Sequence, residues 1–170
     1  LEEIEGLTVV DMMRRVGIDI SIVSMNDTLK VTGSHKIVME ADMLLKDVDV
    51  SAGDMFVLPG GLPGTTHLAE SRELAEILKN AYAAGKYVAA ICAAPSVLGG
   101  LGLLDGKKAT CYPGFEDKLT GAHCLTDNVV TDKNIITSRG MGTAIEFSAR
   151  LIALLKDEKT ADELKKSIML

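Results

Sequence analysis

The spacing of apolar positions changes along the chain, and it predicts helices that alternate with short strands. Ile4, Leu7, Val10 and Met13 recur at helical spacing, and Gly17 follows them as a C-terminal stop. Ser71 has the character of an N-cap before a strongly periodic segment that ends at Gly85. The remaining predicted helices cover residues 96–104 after Pro95, 143–155 and 160–168.

Short β-branched or wholly apolar runs predict the strands. They cover residues 18–23, 55–58, 87–91, 109–111, 129–131 and 135–137, with a small hairpin from 29–31 and 36–39. Tyr87–Ile91 has no polar alternation, which is typical of a strand buried on both faces of a parallel sheet. The alternation predicts a doubly wound α/β sandwich, with a mainly parallel sheet and helices on both faces.

Length and composition narrow the class of protein. The chain has 170 residues, 47% apolar and 25% charged, which fits a single globular domain over residues 1–170. Glycines and Pro95 interrupt the apolar stretch at 87–104, so we expect no transmembrane helix. A formal net charge of −6 and the absence of tryptophan argue against a nucleic-acid partner.

The cysteines indicate a reducing compartment. Cys92, Cys111 and Cys124 are an odd number with no CxxC pair and no export signal before them, so we expect a cytoplasmic protein with free thiols. The three histidines do not cluster with them in sequence, so no metal is expected. Few aromatic residues are present to enclose a flavin, so no cofactor is expected either.

Cys92 lies where a buried strand meets a predicted helix, a position typical of a nucleophile. The amides of Ala93 and Ala94 open that helix, and its dipole is expected to favour the thiolate. The turn at Gly60 and Gly61 ends a neighbouring strand and could supply a further amide donor. The alternative is that Cys92 is a small buried apolar residue, as many free cysteines are; Cys111 and Cys124 we interpret as structural.

A nucleophilic cysteine needs a base or an orienting group. No histidine follows Cys92; His35 and His123 are expected to be exposed, and His67, after the glycine turn, is only a weak candidate. The acidic cluster at residues 2–5 opens the first helix, where negative charge is favourable. One of its three glutamates could instead turn inward to the thiol.

Five motifs, in order along the chain, together resemble the DJ-1/ThiJ/PfpI superfamily, in the branch of the parkinsonism-associated protein and its bacterial relatives. They are the Glu-Glu-Ile-Glu start with the Val10–Gly17 segment, Leu58-Pro59-Gly60-Gly61, Ala90–Pro95, Thr137–Gly140 and Gly142-Thr143. The resemblance implies a flavodoxin-like, class I glutamine amidotransferase-like sandwich, a homodimer, and an oxidation-sensitive cysteine. Each motif alone is weak, but their order and spacing match across essentially the whole chain.

The resemblance also implies roles for particular residues. Cys92 takes the position of the reactive cysteine and Glu5 that of the acid bonded to its sulfur. Gly61 and Ala93 take the positions of the backbone donors, beside Gly60. The expected residues of the pocket or dimer side are Arg15, Tyr112 and Arg139. A protonated Glu5 donating to the Cys92 thiolate would lower the pKa of the thiol.

Several functions remain open at this point. The resemblance implies a cofactor-independent glyoxalase or protein deglycase acting on methylglyoxal-type carbonyls or their glycated adducts, with Cys92 as nucleophile. One alternative is a redox-sensing stress protein or chaperone that does not turn over substrate. A peptidase or amidase is disfavoured because Ala93 stands where the protease-like branch has histidine. Some relatives carry a label for thiazole monophosphate biosynthesis. We treat this label as nomenclature, because the sequence contains no phosphate-binding glycine loop of the GxxxxGK type.

Members of the superfamily place a strand of about seven residues before the Glu-Glu-x-Glu helix, at the centre of the sheet. The sequence given starts at Leu1, inside the turn that would follow such a strand. We therefore expect that the first strand is absent from the sequence given, or that it is supplied from elsewhere.

Overall fold

A computed structural model describes all of residues 1–170. Its helices are α1 (Glu3–Arg15), α2 (Gly64–Glu70), α3 (Arg72–Ala83), α4 (Pro95–Gly100), α5 (Ala144–Leu155) and α6 (Glu158–Ser167). Its strands are β1 (Val23–Ser24), β2 (Lys30–Thr32), β3 (Val38–Glu40), β4 (Met43–Leu44), β5 (Met55–Leu58), β6 (Tyr87–Ile91), β7 (Lys108–Ala109), β8 (His123–Cys124), β9 (Val129–Asp132) and β10 (Ile135–Ser138).

The central sheet has the strand order β5-β6-β10-β9, and three smaller two-stranded sheets surround it. β6 pairs in parallel with both β5 and β10, so the carboxyl ends of these three strands lie at one edge. β9 pairs antiparallel with β10 through a turn at Lys133, which adopts a positive φ of 54°. The predicted α/β sandwich with a mainly parallel sheet is confirmed.

Two apolar cores cover the two faces of this sheet, because successive strand residues point to opposite sides. Val88 and Ala90 of β6 face one core, which α3 and α4 complete with Leu78 and Leu98. Ala89 and Ile91 face the other core, which is completed by residues of α1, α5 and α6, including Val9, Met13, Phe147 and Leu164. All residues of β6 after Tyr87 are buried, as its unbroken apolar run predicts.

Most predicted elements are present, with several differences. β4 and β8 were not predicted, and the strand predicted at 109–111 is the shorter β7. The strand predicted at 18–23 is reduced to β1, because the backbone of residues 18–22 pairs with no neighbouring strand beyond the Ile22 carbonyl, which accepts from Asp42 and Met43. The helix predicted over 96–104 ends at Gly100, followed by turns in which Gly102 has a positive φ of 74°. The helix α2 was not predicted, because its first turn is glycine and threonine rather than an apolar stripe.

β1 and β5 belong to separate sheets and are not hydrogen-bonded to each other. A cavity of about 1450 Å³ is lined by residues of β1 and β5 together with side chains of α1 and α3, among them Val9, Met13, Leu74 and Leu78. The expectation of a further strand remains a prediction.

None of the helices combines the length and the apolar character that crossing a membrane requires.

Candidate functional site

Cys92 lies directly after β6, at the carboxyl edge of the central sheet. Its backbone has a φ of 65°, in the left-handed region that side-chain-bearing residues rarely adopt. Two hydrogen bonds hold it there: its amide donates to the Ser138 carbonyl at 3.0 Å, and its carbonyl accepts from the Tyr112 amide at 2.8 Å. Such a strained conformation persists only where the surrounding structure enforces it, and it is commonly found at functional sites.

Glu5 is the one member of the acidic cluster that reaches Cys92. Its side chain is 1% exposed and is hydrogen-bonded to the Cys92 thiol. The carboxylate oxygen Oε2 also accepts from the Gly60 amide at 3.0 Å. Glu2 caps the same helix, since its carboxylate accepts from the Glu5 amide at 2.8 Å. Of the three glutamates, Glu5 is therefore the one that turns inward, and its side chain lies at the edge of the sheet beside Cys92.

Backbone donors surround the Cys92 sulfur. The amides of Ala93 and Gly61 are hydrogen-bonded to it and act to lower the pKa of the thiol. The amide of Ala94 is not available, because it donates to the Ile91 carbonyl at 3.1 Å. The sulfur therefore receives one amide from each side of the site rather than two from the helix start.

Gly60 allows the two halves of the site to approach each other. A Cβ atom at this position would lie 2.6 Å from Cys92 Cβ and 2.7 Å from Glu5 Oε2. Real Cβ atoms do not come so close, and the nearby Ile91 carbonyl, at 2.9 Å, cannot move away cheaply. Gly61 adopts a φ of 85°, which turns its own amide toward the thiol.

The electrostatics of the pair differ from the sequence-based expectation of a lowered thiol pKa. Burial raises the pKa of Glu5 above its usual value. Burial and the negative charge of Glu5 raise the pKa of Cys92 to about 12, and the amides of Ala93 and Gly61 offset only part of this. The reason is that burial disfavours the thiolate and that a second negative charge beside Glu5 is opposed.

The three residues expected in the pocket or on the dimer side lie in different parts of the structure. Tyr112 is half exposed, and its ring lies 3.3 Å from where a Cβ of Gly140 would stand, next to Glu5. Arg139 donates to the Thr126 carbonyl at 3.2 Å. Arg15 lies at the exposed far end of α1, paired with Asp11 at 2.6 Å. In the single chain, both arginine side chains are therefore bonded to residues other than Cys92 and Glu5.

The other cysteines and two of the histidines take no part in the site. Cys111 is buried, and burial raises its pKa to about 11. Cys124 is exposed on β8 rather than structural, because its strand lies on the surface. His67 and His123 are exposed.

His35 makes a contact that the sequence did not indicate. One nitrogen of its ring and one carboxylate oxygen each of Glu2 and Glu3 lie within 4.8 Å of one another. His35 lies in the turn between β2 and β3, far along the chain from α1, so only the folded hairpin reveals the contact.

Comparison with known proteins agrees with this arrangement of fold and site. The pattern of the DJ-1/PfpI family matches residues 1–154. The structure of Toxoplasma gondii DJ-1, oxidized, superimposes with a TM-score of 0.94 at 36% identity, covering 99% of this chain and 92% of that one. The chain belongs to the DJ-1/PfpI family.

Individual relatives carry two kinds of description. Protein DJ-1 homolog A of Arabidopsis thaliana is 42% identical over 99% of this chain, which spans only 44% of the plant protein. The glutathione-independent glyoxalase DJR-1.2 of Caenorhabditis elegans is 36% identical over 99% of this chain and 90% of its own length.

Proposed function

We propose that this chain is a cofactor-independent glyoxalase or deglycase that converts methylglyoxal-type carbonyls, or their glycated adducts, through a covalent bond to Cys92. The observation that carries the proposal is the buried hydrogen bond between Glu5 and the Cys92 thiol. A relative named a glutathione-independent glyoxalase, of nearly the same length, supports the reaction class.

The first step uses the proton shared by the two side chains. The Cys92 sulfur adds to the aldehyde carbon, Glu5 accepts the thiol proton, and that proton passes to the carbonyl oxygen to give a hemithioacetal. The amides of Gly61 and Ala93, which point at the sulfur, are placed to donate to an oxygen on the carbon bonded to it. They would stabilise negative charge while the adduct forms.

The second step is an internal oxidation and reduction that needs no external electron carrier. Glu5 removes the hydrogen from the hemithioacetal carbon as a proton and leaves an enediolate. The hydroxyl proton of that carbon moves to the neighbouring oxygen, and Glu5 returns its proton to the neighbouring carbon, which gives a lactoyl thioester. Water then cleaves the thioester, which releases lactate and restores the Cys92 thiol. The net reaction adds one water to methylglyoxal. Glu5 acts as the base in both steps, first toward the thiol and then toward the carbon.

The test is lactate formation from methylglyoxal in the absence of glutathione. Cys92→Ala and Glu5→Gln should each abolish turnover. Cys124→Ala, which alters an exposed thiol outside the site, should leave it unchanged. Turnover that survives in Cys92→Ala would sink the proposal.

A redox-sensing stress protein or chaperone is the second candidate, favoured by the strained Cys92 with amide donors around its sulfur. Two peroxide molecules would convert the thiol to a sulfinic acid and release two waters. Its oxygens would accept hydrogen bonds from Gly61, Ala93 and a protonated Glu5. Mass spectrometry after mild peroxide treatment should show oxygen on Cys92 before Cys111 or Cys124; the reverse order rejects this candidate.

We also propose that the chain acts as a homodimer. Ile4 and Leu7 of α1 are 48% and 38% exposed, although they follow one another at helical spacing. An exposed apolar stripe of this kind is typical of a surface covered by a partner. Sedimentation should give a dimer for the wild-type chain and a monomer for Leu7→Asp; a wild-type monomer would contradict the proposal.

A further inference from the structure

The turn between β2 and β3 joins the two segments that form the candidate site. The Ser34 amide donates to the Leu1 carbonyl at 2.8 Å, just before α1. The Ser34 hydroxyl bonds the Leu1 carbonyl at 2.9 Å and the Leu62 carbonyl at 3.3 Å, in the loop that carries Gly60 and Gly61. One turn therefore holds the start of α1 against the glycine loop.

A buried carboxylate strengthens this junction. Glu3 is 4% exposed, and its two oxygens accept from the His35 amide at 2.8 Å and from His35 Nδ1 at 2.9 Å. The His35 side chain itself is 69% exposed, so solvent protons reach it freely. The turn is packed tightly on Glu3, because a Cβ at Gly33 would lie 2.3 Å from the carboxylate.

We propose that His35 is a positioning residue: its imidazolium pairs with Glu3, holds the β2–β3 turn on the start of α1, and thereby keeps Glu5 against Cys92. This inference rests on the proposed function only in taking Cys92 as the reactive thiol. His35 touches neither Cys92 nor substrate. It acts through Glu3, which lies two positions from Glu5 on the first turn of α1.

The acidic groups around His35 favour this role, and Lys36 is the one cation beside it. From α1 it faces Glu3 and, at 3.9 Å, Glu2. Its own turn adds Lys36, and residues 59–64 of the neighbouring loop contain no ionisable side chain. The hydrogen bond and charge of Glu3 raise the pKa of His35 above its usual value. The ion pair is therefore complete at acidic pH and is lost as the pH rises through that raised value.

The test is the rate at which iodoacetamide alkylates Cys92, followed by mass spectrometry from pH 5.5 to 9. If α1 loosens, Glu5 moves away from Cys92 and its charge raises the pKa of the thiol less. Cys92 of His35→Gln should therefore be alkylated about two- to fivefold faster than that of wild type at pH 6. This factor corresponds to the energy of an exposed ion pair. The two rates should converge above the pKa of His35. His35→Lys keeps a positive charge and should retain slow alkylation at higher pH than wild type.

Controls make the result decisive. His67→Gln removes an exposed histidine on α2 and should follow the wild-type profile. Alkylation of the buried Cys111 would report loss of the fold. If Cys111 is alkylated in His35→Gln, the pH profile of His35→Lys is used to test the proposal instead. Profiles of both His35 variants that superimpose on wild type would overturn the proposal. If the chain does not turn over methylglyoxal but the alkylation of Cys92 still depends on His35, the proposed function is rejected and this inference stands.

Discussion

The Glu5 carboxyl is hydrogen-bonded to the Cys92 thiol and holds that thiol in its neutral form. Burial and the charge of Glu5 together raise the pKa of Cys92 to about 12, while burial raises the pKa of Glu5. The two acids therefore compete to remain protonated, and the ionisation of one opposes that of the other. A reaction that begins by moving the thiol proton to Glu5 suits such a pair.

Glu5→Gln separates the reactivity of the thiol from turnover. The substitution removes the charge that raises the pKa of Cys92 but keeps a side chain able to donate to the sulfur. We expect faster alkylation of Cys92 by iodoacetamide at pH 8, by about tenfold if the pKa falls by about one unit. Lactate formation should be lost, since an amide cannot carry the proton. Slower alkylation than wild type would show that Glu5 promotes the thiolate instead.

The sequence was sufficient for elements whose stability depends on local pattern. The apolar run Tyr87–Ile91 forms the buried central strand, and Ser71 caps α3 by accepting from the Leu74 amide at 3.2 Å. The residue after that strand, Cys92, is at the sheet edge because parallel strands end there. These features follow from neighbouring residues and their spacing, so they could be read directly.

Features that depend on distant contacts could not be read in this way. Glu5 was singled out among three glutamates only through the family resemblance. Nothing near His35 in sequence indicates its bond to Glu3, which requires the hairpin to fold back on α1. The raised pKa of Cys92 follows from burial and from Glu5 rather than from the helix that the sequence shows.

Gly60→Ala should damage both stability and the site. The new methyl group would stand 2.6 Å from Cys92 Cβ and 2.9 Å from the Ile91 carbonyl, so the loop must move. We expect a loss of about 1–3 kcal/mol in the free energy of unfolding, the usual cost of overpacking. Urea unfolding measures this loss, and lactate formation should fall with it.

Gly100→Ala is the matched control for this substitution. Nothing lies within 4 Å of a Cβ at this position in α4, so alanine should be neutral or stabilise the chain by about 0.5–1 kcal/mol. Equal effects at Gly60 and Gly100 would mean that the close approach at Gly60 is unimportant.

Thr110 and Thr137 should respond in opposite directions to the same change. Thr110 Oγ1 is buried with no hydrogen-bond partner, so Thr110→Val should stabilise the fold by about 1 kcal/mol. Thr137 Oγ1 accepts from the Thr110 amide at 2.9 Å, so Thr137→Val leaves a buried donor unpaired and should cost about 1–3 kcal/mol. Thermal unfolding of the pair checks both signs, and destabilisation by Thr110→Val would contradict the assignment of an unpaired hydroxyl.

Glu3 should make stability depend on acid pH in a direction opposite to that of Glu5. Burial acts to raise the pKa of Glu3, but hydrogen bonds from His35 and neighbouring amides lower it to about 2. A carboxyl whose folded pKa is lowered stabilises the fold above its unfolded value, and this stabilisation is lost as pH falls through the folded value. Burial raises the pKa of Glu5, so the stabilisation that Glu5 contributes is instead lost as pH rises.

Comparison of wild type with Glu3→Gln isolates the Glu3 contribution, because Glu5 is present in both proteins. Urea midpoints should differ most near pH 7, and the difference should shrink below about pH 4.5 and vanish only below about pH 2, where the folded carboxyl is protonated. Glu163→Gln breaks an exposed pair with Lys159 at 3.8 Å and should change the midpoint little at any pH. A constant difference between wild type and Glu3→Gln across this range would show that the glutamate acts through its shape and not through its charge.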